Sequence, residues 1–328
     1  MQAASAATEA VSFQDVLAAA QRIEPLAQRT PVETSRHFNQ AAGVQAYFKC
    51  ENLQRGGSFK IRGAANFILS LSPEERQRGV VTYSSGNHAQ AVAIAAAHAG
   101  IQATIVMPTD APRAKLASTQ AYGPKIVLFD RQRENREKIA ARIAAETGAV
   151  ILPSYDHSWI IAGQATAALE MLEDVPGLDA IFVCLGGGGL LSGTLTVAKA
   201  LEPDTRVFGV EPELANDWFL SLQRGERIGI DPPPTIADGL RTQIPGQITF
   251  PIVKELSSGV LLVSEEEIKA TMRFLLTRMK LLVEPSGAVA AAAVLNKKIP
   301  AGLESVGILI SGGNVDLDVL ASICAEAA

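Results

Sequence analysis

Cysteine and histidine are scarce in this chain of 328 residues. The three cysteines, Cys50, Cys184 and Cys324, are odd in number and follow no repeated spacing. This usage is typical of a reducing compartment and argues against a disulfide framework. Only four histidines occur, and His88 has no histidine, cysteine or glutamate nearby at the spacing of metal ligands. We therefore expect no zinc centre.

The sequence also lacks an excess of positive charge and a long apolar run. It carries 29 basic and 34 acidic residues, a net charge of −5, without a basic cluster, so we expect no nucleic-acid partner. No uncharged apolar stretch reaches the roughly 18 residues of a membrane span, and the first ten residues lack the features of a secretory signal. Hydrophobic residues make up 48% of the chain. We expect a globular, cytoplasmic protein without a membrane partner.

Short apolar runs alternate with alanine-rich helical stretches of the length that βαβ crossovers need. The first series of predicted strands covers 79–84, 102–107, 125–129 and 149–152. The second series covers 179–184, 205–210, 259–263 and 305–310, and an earlier strand at 45–50 is expected to join it.

The pattern predicts an α/β fold of two doubly wound, mostly parallel sheets. We expect a small substrate-binding domain, 79–154, inserted into a large domain made of 1–78 and 155–328. A ligand should lie between the two, at the carboxyl ends of the strands. The long irregular segment 227–250 is expected to be functional, because loops of this length in compact proteins usually are.

Four consecutive glycines, Gly186 to Gly189, follow a predicted strand and precede a helix. Glycine lets backbone N–H groups point inward, and a helix N-terminus adds positive potential, so the run predicts a phosphate cradle. The alternative is a tight turn between strand and helix. The spacing fits neither G-x-G-x-x-G, because Leu191 stands at the third glycine, nor a P-loop, because Thr194 follows Gly193. It therefore disfavours NAD-dependent and ATP-hydrolysing enzymes.

Lys60 lies in the glycine-rich run Gly56-Gly57-Ser58-Phe59-Lys60 at the start of a predicted helix. Positive potential at that end lowers the pKa of a lysine amine. A neutral amine can form a Schiff base with a carbonyl. The alternative is an ordinary surface lysine.

Two further strand ends carry small polar residues. Ser84, Ser85, Asn87 and His88 surround a strand-to-helix turn, which predicts a carboxylate receptor or, alternatively, ordinary helix capping. Ser311 opens the run Ser311-Gly312-Gly313-Asn314, which could aim a hydroxyl at a ring nitrogen or form a simple glycine turn.

Glu211 and Asp217 stand six residues apart after another predicted strand, with Ala215 between them. Two carboxylates and a backbone carbonyl are ligands that suit Mg²⁺ or Ca²⁺. A solvated helix N-terminus rich in acids is the alternative.

Seven segments, in this order, resemble the fold-type II pyridoxal-phosphate enzymes, and most closely their serine/threonine dehydratase and serine racemase family. They are FKCENLQRGGSFKIRGA, SSGNHAQ, IAGQATAALE, GGGGLLSG, TIADGL, EPSGA and SGGNVDL.

The resemblance implies a role for each candidate. Lys60 would be attached to the cofactor, pyridoxal 5′-phosphate, and would act in catalysis together with Ser85. Further cofactor contacts would come from Phe59, Asn87, Gly186, Gly187, Gly188, Gly189, Leu190 and Ser311. The substrate would be bound by Ser84, Ser85, Asn87, His88 and Arg136. Glu211, Ala215 and Asp217 would hold a divalent cation, Mg²⁺, Mn²⁺ or Ca²⁺.

The resemblance also implies the reaction: conversion of L-serine or L-threonine to a 2-keto acid and ammonia, by a homodimer, with serine racemisation as a side activity. Departures from the family pattern are Ala89, Ala165 and Tyr155. Tyr155 favours a dehydratase, because serine racemase has asparagine at this place. The alternatives are a 3-hydroxyaspartate dehydratase, for which Arg241 is a candidate extra cation, and a non-catalytic binding module.

Overall fold

The structure is a computed structural model. It describes residues 10–111 and 113–325, and for residues 113–115 the backbone alone.

In the described residues, ten strands form a six-stranded and a four-stranded sheet. The strands are β1 (Val32–Thr34), β2 (Gln45–Cys50), β3 (Val80–Tyr83), β4 (Ala103–Pro108), β5 (Lys125–Phe129), β6 (Val150–Ile151), β7 (Ala180–Cys184), β8 (Arg206–Pro212), β9 (Val260–Val263) and β10 (Ser305–Ile310).

The large sheet has the order β1-β2-β10-β7-β8-β9, and the small sheet has the order β5-β4-β3-β6. All pairs are parallel except β1 with β2. In both sheets strands that neighbour each other are separated by helices in the chain, as right-handed crossovers require.

The helices pack on the faces of the two sheets. They are α1 (Phe13–Ile23), α2 (Arg36–Ala42), α3 (Lys60–Ser70), α4 (Pro73–Arg78), α5 (Asn87–Ala99), α6 (Arg113–Gln120), α7 (Arg136–Thr147), α8 (Ser158–Asp174), α9 (Gly189–Leu201), α10 (Asp217–Arg224), α11 (Thr249–Leu256), α12 (Glu265–Phe274), α13 (Pro285–Leu295) and α14 (Leu317–Ala325). Short 3₁₀ turns lie at Glu51–Leu53, Arg55–Gly57 and Asp238–Leu240, and the π-helical turn Leu275–Met279 continues α12.

Local sequence explains where several helices begin and end. Ser72 and Glu75 form a reciprocal capping box at α4. Gly100 and Gly148 end α5 and α7 in the left-handed conformation. Helix α13 is alanine-rich and buried from Pro285 to Val294, as a helix that is apolar all round must be.

The α/β prediction with two mostly parallel sheets is confirmed, and each predicted strand is present within one or two residues of its expected ends. The edge strand β1 is an addition. The domain bounds, 79–154 within 1–78 and 155–328, stay a prediction; the change of sheet falls between β2 and β3 and again between β6 and β7. Across the described residues, no helix combines the length and the apolar character of a membrane span.

Candidate active site

The lysine loop (residues 56–60) and the C-terminal glycine loop (residues 311–314) are joined by backbone hydrogen bonds. The Phe59 N–H donates to the Ser311 carbonyl at 3.1 Å, and the Gly313 N–H donates to the Gly57 carbonyl at 2.9 Å. Gly57 has a φ of +71°, and a Cβ there would collide with the side chain of Asn314. The start of α3 is thus fixed at the carboxyl end of β10.

The Lys60 amine points into the space between the sheets. Its Nζ donates to the Ser154 carbonyl at 3.0 Å and lies 5.0 Å from the centre of the Phe59 ring. Burial lowers the pKa of Lys60 to about 8, against the opposing effect of Cys184 and Glu284. The pKa of Lys60 is lowered, as expected from the sequence, but the main cause is desolvation by burial and not the helix N-terminus. The fraction of neutral amine near pH 7 is therefore much larger for Lys60 than for an ordinary lysine, although the charged form still predominates.

A buried ionic cluster holds the first turn of α3. The Arg62 guanidinium, two residues after Lys60, binds the Glu51 carboxylate (2.7 and 2.8 Å) and the Glu170 carboxylate of α8 (2.7 and 2.8 Å). Lys49 joins it, with its Nζ 2.6 Å from the Glu170 carboxylate. These contacts fix the first turn of α3, and with it the backbone of Lys60, relative to Glu51 and α8. Arg62 is fully buried, and its charge is compensated only in this arrangement.

The glycine loop (residues 186–189) is enclosed so tightly that no side chain can be accommodated at three of its four residues. An added Cβ would strike the Tyr155 ring at Gly187 and the Trp218 ring at Gly188, and would come within 2.5 Å of Gln164 Oε1 at Gly189. Gly188 also has a φ of +91°, which favours glycine.

Two side-chain donors bind the backbone carbonyls of this loop. The Trp218 indole N–H donates to the Gly186 carbonyl, and Thr249 Oγ1 donates to the Gly187 carbonyl at 2.8 Å. The loop leads into α9, whose first N–H groups have no partner within the helix. Leu190 is buried in its first turn. This arrangement suits a phosphate.

The serine loop (residues 84–88) is connected to the C-terminal glycine loop through Asn87. Asn87 Nδ2 donates to Glu284 Oε1 at 2.6 Å, and Asn87 Oδ1 accepts from Asn314 Nδ2 at 2.9 Å. Ser311 is buried and hydrogen-bonded to the Cys184 thiol. The structure thus brings the lysine, serine and C-terminal glycine loops into one network.

His88 lies in the serine loop, but its ring faces the small sheet. Its Nε2 lies 3.1 Å from Thr82 Oγ1 and 3.4 Å from the Leu152 carbonyl. Burial, followed by the charge of Lys60, lowers the pKa of His88 to about 3. The ring is therefore neutral and structural, and the predicted contact with a substrate carboxylate is left to the His88 backbone N–H at the start of α5.

Arg136 lines a small cavity together with Ser84 and Ser85. It opens helix α7, and its guanidinium carbon lies 5.4 Å from the centre of the Tyr83 ring. The predicted substrate-binding residues Ser84, Ser85 and Arg136 are therefore neighbours. Arg241 behaves differently, because its guanidinium binds the Thr235 carbonyl at 2.6 and 2.9 Å.

Glu211 and Asp217 are buried side by side at the end of β8. Glu211 accepts from the backbone N–H groups of Trp218 (3.2 Å) and Phe219 (3.0 Å). Neither carboxylate oxygen of Asp217 has a hydrogen-bond partner among the described residues. Burial raises the pKa of both carboxyl groups, and for Glu211 the charge of Asp217 adds to the effect.

Sequence patterns did not reveal several residues that shape the site. Glu284 was visible only as part of the EPSGA segment, and Asn314 only as part of SGGNVDL. Trp218, Thr249 and Gln164 act across long sequence separations, where no local pattern could indicate them. Segment 227–250 contributes the 3₁₀ turn Asp238–Leu240, which packs against Gly186.

The chain belongs to the pyridoxal-phosphate dependent enzymes, whose family model matches residues 23–312. It is 50% identical over 312 residues to L-threo-3-hydroxyaspartate ammonia-lyase of a Pseudomonas species, covering 95% of this chain and 98% of that protein. It is 47% identical to serine racemase of Schizosaccharomyces pombe, covering 94% and 95%. The crystal structure of threonine deaminase from T.th. superposes with a TM-score of 0.87 at 44% identity, covering 93% and 99%.

These findings confirm the predicted family and the fold-type II architecture. The residues present also fit the cofactor. The enclosed glycine loop at the start of α9 suits its phosphate, and the Lys60 amine, with its lowered pKa, suits its aldehyde. Phe59 contacts the Lys60 amine, and Asn87 and Ser311 belong to the hydrogen-bond network of the lysine loop. Their role in holding the ring stays a prediction.

Proposed function

We propose that the chain is an ammonia-lyase that converts a 3-hydroxy-L-amino acid, such as L-serine or L-threonine, to a 2-keto acid and ammonia. The observation that carries this proposal is the Lys60 amine. Its pKa is lowered to about 8. Backbone hydrogen bonds connect the lysine loop to the C-terminal glycine loop, and the Asn314 side chain connects that loop to Asn87 of the serine loop. Bound pyridoxal phosphate supplies the electron sink for removing the proton at the substrate Cα.

Each residue has a defined task in this reaction. The neutral Lys60 amine accepts the Cα proton, which requires a base poised near the working pH. The serine loop binds the substrate carboxylate through backbone N–H groups and the hydroxyls of Ser84 and Ser85. Asn87, held by Glu284 and Asn314, would contact the ring of the cofactor, and Ser311 would offer a neutral hydroxyl to the ring nitrogen.

Serine racemisation is proposed as a side activity. It requires a proton donor on the substrate face opposite Lys60, and Ser85 is the candidate. We expect Ser85→Ala to suppress racemisation of L-serine more than its elimination. Chiral chromatography of the remaining serine, together with keto-acid release, measures both; equal loss of the two activities would remove Ser85 from this role.

L-threo-3-hydroxyaspartate is a second candidate substrate. It carries a second carboxylate, and Arg136 is a cation in the same cavity as Ser84 and Ser85. The similarity of the chain to the Pseudomonas L-threo-3-hydroxyaspartate ammonia-lyase supports this substrate. Arg241 is a poorer candidate for this contact because its guanidinium is engaged by the Thr235 carbonyl.

One assay tests the reaction and separates the substrates. Release of the 2-keto acid is measured from L-serine, L-threonine and L-threo-3-hydroxyaspartate, with and without Mg²⁺. We expect keto acid from at least one of them. Arg136→Gln should lower the preference for 3-hydroxyaspartate over L-serine by about tenfold or more, because a charge-assisted contact is lost. Absence of keto acid from all three would refute the ammonia-lyase.

We also propose a divalent cation held by Glu211, the Ala215 carbonyl and Asp217. The two unpartnered, buried oxygens of Asp217 support it. Within the described residues no group of three His, Cys, Asp or Glu side chains is placed to hold a metal ion, so carbonyls and water would complete the coordination. Mg²⁺ should raise the melting temperature of the wild type but not of Asp217→Asn. An equal response of both proteins would exclude the site.

A homodimer in the cytoplasm completes the proposal. Leu53 and Leu282 are large apolar side chains that remain 50% and 44% exposed, and the amide of Asn52 links their two segments through the Leu282 carbonyl at 3.1 Å. Such a pair is expected where a second copy packs. Light scattering after gel filtration should give twice the mass of one chain, and a single-chain mass would contradict it.

A further inference from the structure

Arg136 is held by an aromatic ring and not by an acid. Its guanidinium carbon lies 5.4 Å from the centre of the Tyr83 ring, within the range of a cation–π contact. Among the described residues it forms no ion pair. The other arginine of the cavity, Arg131, is paired with Asp110 at 2.7 Å. Arg136 therefore keeps its full charge for a ligand, whereas the charge of Arg131 is already balanced.

The Tyr83 ring is itself well fixed. Tyr83 is the last residue of β3 and pairs with Val106 of β4. Its ring is partly buried against a cluster that includes Val81 and Phe129, and this burial raises the pKa of its hydroxyl. A rigid platform reduces the conformational entropy that an exposed arginine loses when it binds a ligand.

The contact between Tyr83 and Arg136 lies beside the residues proposed to bind the substrate. Ser84 and Ser85 follow Tyr83 directly and line the same cavity as Arg136. A substrate whose α-carboxylate is bound by the serine loop would therefore lie close to Arg136. An acidic side chain in place of the ring would compete with the ligand carboxylate for the Arg136 guanidinium. The ring face holds the guanidinium without this competition.

We propose that Tyr83 is a positioning residue that holds Arg136 for the second carboxylate of a dicarboxylic hydroxy amino acid. This inference rests on the proposed function and names its substrate class. Tyr83 thereby sets the selectivity between dicarboxylic substrates and L-serine, although it does not touch the substrate.

The test compares Tyr83→Leu, which removes the ring face, with Tyr83→Phe, which keeps it. Values of kcat and KM are measured for the holoenzyme with L-threo-3-hydroxyaspartate and L-serine. We expect Tyr83→Leu to lower the selectivity for the dicarboxylic substrate about fivefold through KM, and Tyr83→Phe to retain it. Tyr47→Leu, a partly buried strand tyrosine outside the site, is the matched control and should behave as the wild type.

A double mutant shows whether Tyr83 acts through Arg136. In the background of Arg136→Gln, Tyr83→Leu should cause no further change in selectivity. A full additional loss would overturn the inference, as would an unchanged selectivity of Tyr83→Leu or an equal loss in Tyr83→Phe. Thermal unfolding is followed for every variant, and Tyr83→Met replaces the leucine variant if that one does not fold.

Binding of L-malate separates this inference from the proposed function. L-Malate has two carboxylates and a hydroxyl but no amine, so its affinity for the holoenzyme, measured by calorimetry, does not depend on turnover. We expect Tyr83→Leu to weaken it about fivefold. If the wild type releases no keto acid, the proposed function fails, and L-malate still decides the role of Tyr83. Unweakened or undetectable L-malate binding overturns that role.

Discussion

Burial lowers the pKa of two basic side chains of the site, with a different consequence for each. The Lys60 amine keeps one weak partner, the Ser154 carbonyl, and stays available for chemistry. The His88 ring is enclosed between Thr82 and the Leu152 carbonyl and stabilises the start of α5. The same physical cause, desolvation of the charged form, thus prepares a reactive group in one case and a structural group in the other.

His88 makes stability depend on pH. Its pKa is about 3 in the folded protein and 6.5 in the unfolded chain. Below pH 6.5 the unfolded state takes up a proton that the folded state does not bind, so stability is full above pH 6.5 and falls as the pH approaches 3. Between pH 7 and pH 5 this costs about 2 kcal/mol.

Urea unfolding of the holoenzyme at pH 7 and pH 5 measures this effect. The wild type should lose about 2 kcal/mol more than His88→Gln over that interval. His98→Gln, which changes an exposed histidine, is the control and should follow the wild type. The same loss in His88→Gln and wild type would show that His88 is not buried in its neutral form.

Side chains from three parts of the chain pack against the glycine loop, which is the predicted phosphate cradle. Tyr155 comes from the segment before α8, Trp218 from α10, and Thr249 from the start of α11. The glycine loop accepts this approach only because it has no Cβ atoms. Packing thereby explains Gly187, Gly188 and Gly189, independently of the proposed phosphate contact.

Gly187→Ala tests this explanation. The new Cβ would collide with the Tyr155 ring, and we expect the affinity for pyridoxal phosphate to fall at least about fivefold, since overpacking costs about 1–3 kcal/mol. Absorbance titration of the apoenzyme measures it. Gly229→Ala should bind normally, because its Cβ would make only an ordinary contact with the Gln243 carbonyl and no positive φ is required. Gly187→Ala with Tyr155→Ala should recover the affinity. Undiminished affinity in Gly187→Ala would contradict the tight packing.

The strands and the loops that carry the site were predictable from the sequence, whereas side-chain directions were not. Apolar runs such as 305–310 are long enough to mark a buried strand, and the site loops follow strand ends by the general rule for parallel sheets. Strand β1 was missed because it has three residues and lies at an exposed edge. The inward turn of the His88 ring and the contact of Trp218 with Gly186 depend on tertiary packing, which no local pattern encodes.

At the scale of the whole molecule, the fold anchors α3, which begins with the proposed reactive lysine, Lys60, to two other segments of the chain. The Arg62 cluster joins α3 to Glu51 after β2 and to Glu170 of α8. Because both Arg62 and Glu51 are fully buried, the cluster is satisfied only when these three segments are assembled together.

Arg62→Leu should therefore destabilise the protein strongly. It leaves the Glu51 carboxylate buried without its cation, and we expect a loss of about 3–5 kcal/mol in the free energy of unfolding. Arg29→Leu is the matched control, because Arg29 also pairs with acids of α8, Glu173 and Asp174, but at the surface. Its loss should be less than about 1 kcal/mol. Similar losses in the two variants, measured by urea titration, would show that the cluster does not hold the fold together.

The central claim is that Lys60 carries pyridoxal phosphate, and peptide mapping tests it most directly. The holoenzyme is reduced with borohydride, digested and analysed by mass spectrometry. The account predicts the phosphopyridoxyl group on the peptide that contains Lys60, and its absence from Lys60→Ala. Attachment to a different lysine, or to none, would contradict the account.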